Sequence, residues 1–279
     1  MLREITLGQY YPADSVIHAL DPRVKLFGTL IYLISLFVFS DVVGFLIITA
    51  FLISMIVMCR VPFSFMVKGL RAIVILLLVA AAFNLFLTPG ETLVTVWKLR
   101  ISYQGVRSAV LMAVRMIYLI IGTSIMTLTT TPNALTDGME KGLGFMNRIG
   151  VPVHEIAMMM SIALRFIPIL IEETDKIMKA QMARGADFES GGLIKKAKGM
   201  VPLLVPLFVS AFRRANDLAL AMEARCYHGG DGRTKLHPLK YDNKDIMAYV
   251  VLWVYLILVI AARVLMSRFS GSILPFATR

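Results

Sequence analysis

The chain has 279 residues, 58% of them hydrophobic, and a mean hydropathy of +0.75. Soluble domains of this length sit nearer ~45–50% apolar, so an ordinary soluble domain is excluded. The net charge of +11 comes from lysines and arginines that punctuate apolar runs. That pattern argues against nucleic acid and for cytoplasmic loops and anionic headgroups.

The N-terminal "MLREITLGQYYPADS" has no apolar core, so no cleaved signal peptide is expected. "LDPRVK" follows, with Asp21 as N-cap, Pro22 at the first helical position and two cations at the membrane edge. Four apolar stretches come next, at 24–40, 43–59, 71–88 and 106–128, and a fifth closes the chain at 246–266. Each approaches the ~20 residues that cross ~30 Å of hydrocarbon as a helix. The predicted class is an all-α integral membrane protein with about five transmembrane helices.

The loop at 60–71 carries Arg60, Lys68 and Arg71, whereas the turn at 40–42 carries only Asp41. Residues 172–245 hold thirteen Lys or Arg against ten Asp or Glu. Placing both segments in the cytoplasm puts the N-terminus inside and the C-terminus outside. The 89–105 loop then lies outside, with Lys98 and Arg100. The organisation expected is a four-span membrane region at 1–130, a cytoplasmic-facing helical region at 131–245, and a final span and tail at 246–279.

Within the middle region, Thr131 and Pro132 open a short amphipathic helix that ends near Gly150 and is too polar to span. Residues 152–184 predict one long helix. Its apolar first half is interrupted by Glu155, Arg165 and Pro168, and its second half is charged. A similar helix covers 200–227, where Ala211, Ala215 and Ala219 form a row that would admit a close helix neighbour. Neither helix behaves as an ordinary span.

Both helices end in the same short box: Ala183-Arg184-Gly185 in the first, Ala224-Arg225-Cys226 in the second. A cation in the last helical turn is favoured by the helix dipole whatever its function. Three features go further. The box occurs twice, each arginine stands between small residues, and both would project into the cytoplasm. A planar guanidinium so exposed suits bidentate docking on a partner's carboxylates. Aligning the boxes sets Glu172 and Glu173 at the offsets of Arg213 and Arg214, so a helix crossing with two opposed charge pairs is expected.

"LDPRVKL", "RFIPILIEETDKIMKAQMARGADF" and "FRRANDLALAMEARCY" resemble the transmembrane T component (EcfT) of energy-coupling factor (ECF) vitamin and metal importers. The resemblance covers about residues 10–265, and the two boxes are its most specific part. It implies two crossed coupling helices whose arginines contact a pair of ABC-type ATPases, hence docking roles for Arg184 and Arg225 and their small neighbours. It also implies that the apolar half of these helices receives a membrane-embedded, substrate-binding S component, and in many members several S components share one energising module. The consecutive Met158, Met159 and Met160 would suit such exchange, although methionine also serves simply as core filler. The second box has Cys226 where the family often has Gly. The localisation implied is a prokaryotic cell membrane, with no nucleic-acid partner.

No G-x-x-x-x-G-K-[ST] occurs, and "GGLIKKAKG" fails the spacing, so this chain is expected to hold no ATP or other cofactor. ATP and Mg would bind the partner ATPases. No nucleophile elbow is present, and His18, His154, His228 and His237 show no metal-ligand spacing, nor do Cys59 and Cys226. A non-catalytic subunit is expected. Asn84 and Arg115 fall inside apolar stretches; helix packing for the first and snorkelling for the second compete with functional roles. The alternative reading is a secondary transporter or channel that binds its substrate itself, which would want polar residues converging at mid-membrane.

Overall fold

The computed structural model describes residues 10–39, 42–90, 92–96, 99–186, 188, 192, 199–230, 236 and 238–273. In chain order come α1 (Val16–Ala19), α2 (Pro22–Val38), α3 (Val42–Cys59), α4 (Phe63–Leu87), β1 (Thr92–Val96), β2 (Leu99–Ser102), α5 (Tyr103–Thr129) and α6 (Pro132–Gly142). A 3-10 turn (Gly144–Ile149) precedes α7 (Val153–Ala183), α8 (Val201–Ala224) and α9 (Asn243–Ile273). Two compact units form: residues 8–138 with 239–279, and residues 139–238.

The class is all-α and membrane-type. Among the described residues, α5, α7 and the 243–265 part of α9 are long and apolar enough to cross a bilayer, and Val43–Cys59 and Ile73–Leu87 are shorter apolar helices. Length and composition therefore do not set α7 apart from a span, because its charges crowd into its second half. Apolar side chains face outward on these helices, as at Val57, Ile75 and Leu76. In water this would be a liability; against acyl chains it is what a span requires.

Two expectations need correction. The segment 60–71 is not a loop: α4 begins at Phe63, after Pro62, and runs through positions 68 and 71. Charged residues at a helix's membrane edge do not end the helix, so charge misplaced the boundary. The 89–105 segment contains a β ribbon, in which β1 and β2 pair antiparallel with Thr92 opposite Ser102 and Val96 opposite Leu99. Its β-branched "TLVTV" was the available signal. Asp41, Lys98 and His237 lie outside the described residues, as do the side chains of Lys68, Arg71 and Arg100.

In the first unit, α2 and α5 pack together and α9 covers α2 and α3. Tyr32, Leu36, Ile48, Ile121, Leu252 and Tyr255 are core residues. Polar groups among them are paired: Tyr32 donates to the Tyr118 carbonyl at 3.0 Å, and the Ser35 and Tyr255 hydroxyls lie 2.6 Å apart. Asn84 donates to the Ala80 carbonyl at 3.0 Å and to Met112 Sδ at 2.7 Å, which joins α4 to α5. Arg115 donates Nη2 to the Phe39 carbonyl at 2.6 Å, just past the end of α2. Both residues serve helix packing here. Ser102 joins neighbouring helix ends: its Oγ donates to the Thr88 carbonyl at 2.8 Å and accepts from the Gly105 N–H at 2.9 Å.

Asp21 caps α2, accepting the Arg23 N–H at 2.8 Å. Asp245 is only 3% exposed, although nothing in its local sequence sets it apart. Its two oxygens accept the Asp21 and Asp242 N–H groups, each at 2.8 Å, and so fasten the start of α2 to the start of α9. Arg23 closes the knot with 3.1 Å bonds from Nε and Nη2 to Asp21 and from Nη2 to the Leu239 carbonyl. Replacing Asp245 with Ala strands two backbone donors, one of them at a buried site, and should cost about 2 kcal/mol. Asp242→Ala loses only an exposed bond, from the Asn243 N–H at 2.8 Å at the start of α9, and should cost less, about 0.5–1 kcal/mol. Thermal unfolding of both variants in detergent measures the difference.

Candidate functional site: a helix pair with an arginine at each end

The second unit is built on α7, of 31 residues, and α8, of 24. Three contacts fix their relative course. Glu173 Oε2 and Arg214 Nη2 form an ion pair at 3.0 Å. Gln181 Nε2 donates to the Pro202 carbonyl at 3.3 Å. The His154 ring lies so close to Gly230 that a Cβ there would not fit. As positions on α7 rise from 154 through 173 to 181, their partners fall from 230 through 214 to 202. The two helices are therefore antiparallel, and Arg184 and Arg225 lie at opposite ends of the pair.

The ion pair sits eleven residues before each arginine, about 16 Å along either helix at 1.5 Å per residue. The two arms are equal. Of the four charges expected at the crossing, the structure brings together Glu173 and Arg214. Glu172 and Arg213 are exposed and make no ion pair among the described residues. The reason is helical geometry: consecutive residues are ~100° apart, so one member of each doublet faces the partner and the other turns away. The expected alanine row does not serve the contact either, since Ala215 and Ala219 are exposed.

The Gln181 bond has a cause in the chain. Pro206 lacks an N–H, which leaves the carbonyl four residues earlier, Pro202, without its helical donor. Gln181 supplies that donor from the neighbouring helix. Pro206 was the readable signal; which residue would answer it was not.

The two boxes close their helices in the same way. At the first, the Gly185 N–H donates to the Met182 carbonyl at 2.9 Å and the Ala186 N–H to Gln181 at 3.0 Å. At the second, the Cys226 N–H donates to Glu223 at 2.8 Å and the Tyr227 N–H to Met222 at 3.1 Å. Such paired bonds require a left-handed residue just after the cap. Gly185 has φ +89° and Cys226 has φ +54°. The third place of the box is thus a conformational position, and a cysteine fills it in an uncommon backbone state. Nothing lies within 4 Å of where a Gly185 Cβ would be, so only the backbone demands glycine there. Ala183, Arg184, Gly185, Ala224, Arg225 and Cys226 are all exposed.

Met159 and Met160 are 57% and 48% exposed on α7, and Met158 is half-buried. His154 Nδ1 lies 3.0 Å from Glu140 Oε1. Among the described residues no group of three or more His, Cys, Asp or Glu could hold a metal ion.

The caps predict substitutions of opposite sign. Gly185→Ala should destabilise by about 1 kcal/mol, because a Cβ disfavours the left-handed state. Cys226→Gly should stabilise by up to ~1 kcal/mol for the same reason; unfolding of each variant reads both signs. A double-mutant cycle on Glu173→Ala and Arg214→Ala should return a coupling of about 0.5 kcal/mol, since the pair is partly solvated.

Comparison with known proteins bears on what such a helix pair belongs to. A family model described as cobalt transport protein (CbiQ) matches residues 13–236. The chain is 53% identical over 266 residues to the energy-coupling factor transporter transmembrane protein EcfT of Clostridium kluyveri, covering 95% of this chain and 98% of that one. Against the same-named protein of Bacillus subtilis it is 45% identical over 253 residues, covering 90% and 96%. Against that of Lactococcus lactis it is 42% identical over 260 residues, covering 93% and 98%. With this similarity over nearly the whole length, the chain belongs to the EcfT family and is a transmembrane component of an energy-coupling factor transporter.

Proposed function

We propose that this chain is the mechanical coupling subunit of its transporter. In this reading two ABC-type ATPases, which carry the ATP and Mg, dock on Arg184 and Arg225. The chain itself binds no cofactor and catalyses nothing. The small neighbours Ala183, Gly185, Ala224 and Cys226 let a partner surface come close enough for both guanidinium edges to reach carboxylates. The observation that carries the reading is the symmetry of the helix pair. Two exposed arginines end two equal arms, each set by the same left-handed closure and measured from one ion pair. A two-ended lever of that kind suits two similar partners.

Closing of the ATPases would push on both ends. Packed helices shift as units between discrete arrangements and do not bend continuously, so the push would reach a docked S component on the apolar half of α7, where Met158, Met159 and Met160 stand. Release of a vitamin or metal ion to the cytoplasm would follow. The coupling helices then face the cytoplasm, with the N-terminus inside and the C-terminus outside a prokaryotic cell membrane.

The test is affinity purification in gentle detergent, with co-purifying proteins identified by mass spectrometry. The wild type should bring ATPase subunits and small membrane proteins. Arg184→Glu with Arg225→Glu should lose the ATPases at least about tenfold while keeping the membrane partners, since a reversed charge at each end repels the acceptors. ATPases retained by a folded double variant would rule out docking at the boxes.

A further inference from the structure

We propose that the first unit holds one anionic phospholipid, with an acyl chain in a slot among α2, α3, α5 and α9 and its phosphate between Lys25 and Lys244. The slot has a volume of about 190 Å³ and an almost wholly apolar wall that includes Met55, Met126, Ala248 and Leu252. An α-helix with its side chains is ~10 Å across, so no partner helix enters a space of this size. A single hydrocarbon chain does.

The mouth of the slot carries the charge. Lys25 and Lys244 are the two cations in its lining, each at the first turns of its helix. The Asp21–Asp245 bond fastens the starts of α2 and α9 side by side, with Lys244 one residue before Asp245 and Lys25 one turn past Asp21 but reaching back to the His18 carbonyl. Lys25 Nζ donates to the His18 and Thr129 carbonyls, each at 3.0 Å. An ammonium has three N–H groups, so one remains for a further acceptor. Lys244 is exposed on the first turn of α9. The two neighbouring carboxylates are already engaged: Asp21 by Arg23, and Asp245 by two backbone N–H groups. Neither carboxylate bonds to a lysine; Arg23 offsets Asp21, while Asp245 keeps its charge near Lys25, so with the two lysines the mouth holds one net positive charge. From Lys25 to Tyr32, both in the lining, is seven residues of α2, or about 10 Å of depth. A cation pair at the mouth and a dry slot below it match a phosphate joined to an acyl chain.

The test is native mass spectrometry of delipidated protein titrated with phosphatidylglycerol or phosphatidylcholine of identical acyl chains. The wild type should form a one-lipid species with an about fivefold preference for phosphatidylglycerol, the effect of one lysine near a headgroup. Lys244→Glu should abolish that preference. Ala248→Phe should fill the slot and remove the one-lipid species for both lipids; Met126→Trp, from the α5 side of the lining, repeats the filling should the first variant not fold. Equal binding of the two lipids by the wild type overturns the assignment. So does a one-lipid species that persists in a filled variant whose unfolding matches the wild type.

Discussion

A helix end packed within a helical bundle leaves carbonyls in need of donors, and satisfying them organises this molecule. The carbonyl of Phe39 is met by Arg115, that of Thr129 by Lys25, and that of Thr88 by Ser102. In each case the donor comes from another element, so meeting the chemical need also fixes which helices are neighbours. The carbonyl freed by Pro206 is answered in the same way by Gln181. Polar residues in apolar runs are here fasteners of the bundle: Asn84 joins α4 to α5, and Arg115 holds the end of α2.

The helix pair α7 and α8 applies the same economy to a working part. One ion pair, one side-chain bond to a freed carbonyl and one close glycine contact hold two long helices antiparallel. None of these is strong alone, and a half-exposed ion pair contributes little to stability. Together they set register, and register places the two arginines at equal distances from the crossing. The left-handed closures then turn the chain away just past each arginine, leaving both ends open.

Much of the fold was legible. Apolar runs located the membrane helices, and Asp21 with Pro22 marked the start of α2. Small residues after each arginine marked the ends of α7 and α8. Charge proved a poor guide to boundaries: α4 begins well before its apolar run, because lysine and arginine are good helix formers that reach the interface from inside a helix. The β ribbon leaves a weak signal, because two short strands weigh little against a strongly helical background. The candidate site was legible as a pattern, two boxes at matching offsets, but its partners were legible only in part.

The membrane character, the helices and the repetition of the arginine box can be read from the chain segment by segment. These depend on properties that each segment carries alone: apolar content, cap chemistry and the tolerance of glycine for left-handed backbone. That Glu173 and not Glu172 meets Arg214, that Gln181 answers Pro206, and that Asp245 ties the last helix to the second emerge once the helices are packed. Those choices depend on helix rotation and crossing, which follow from how all the helices pack at once and are written in no single segment.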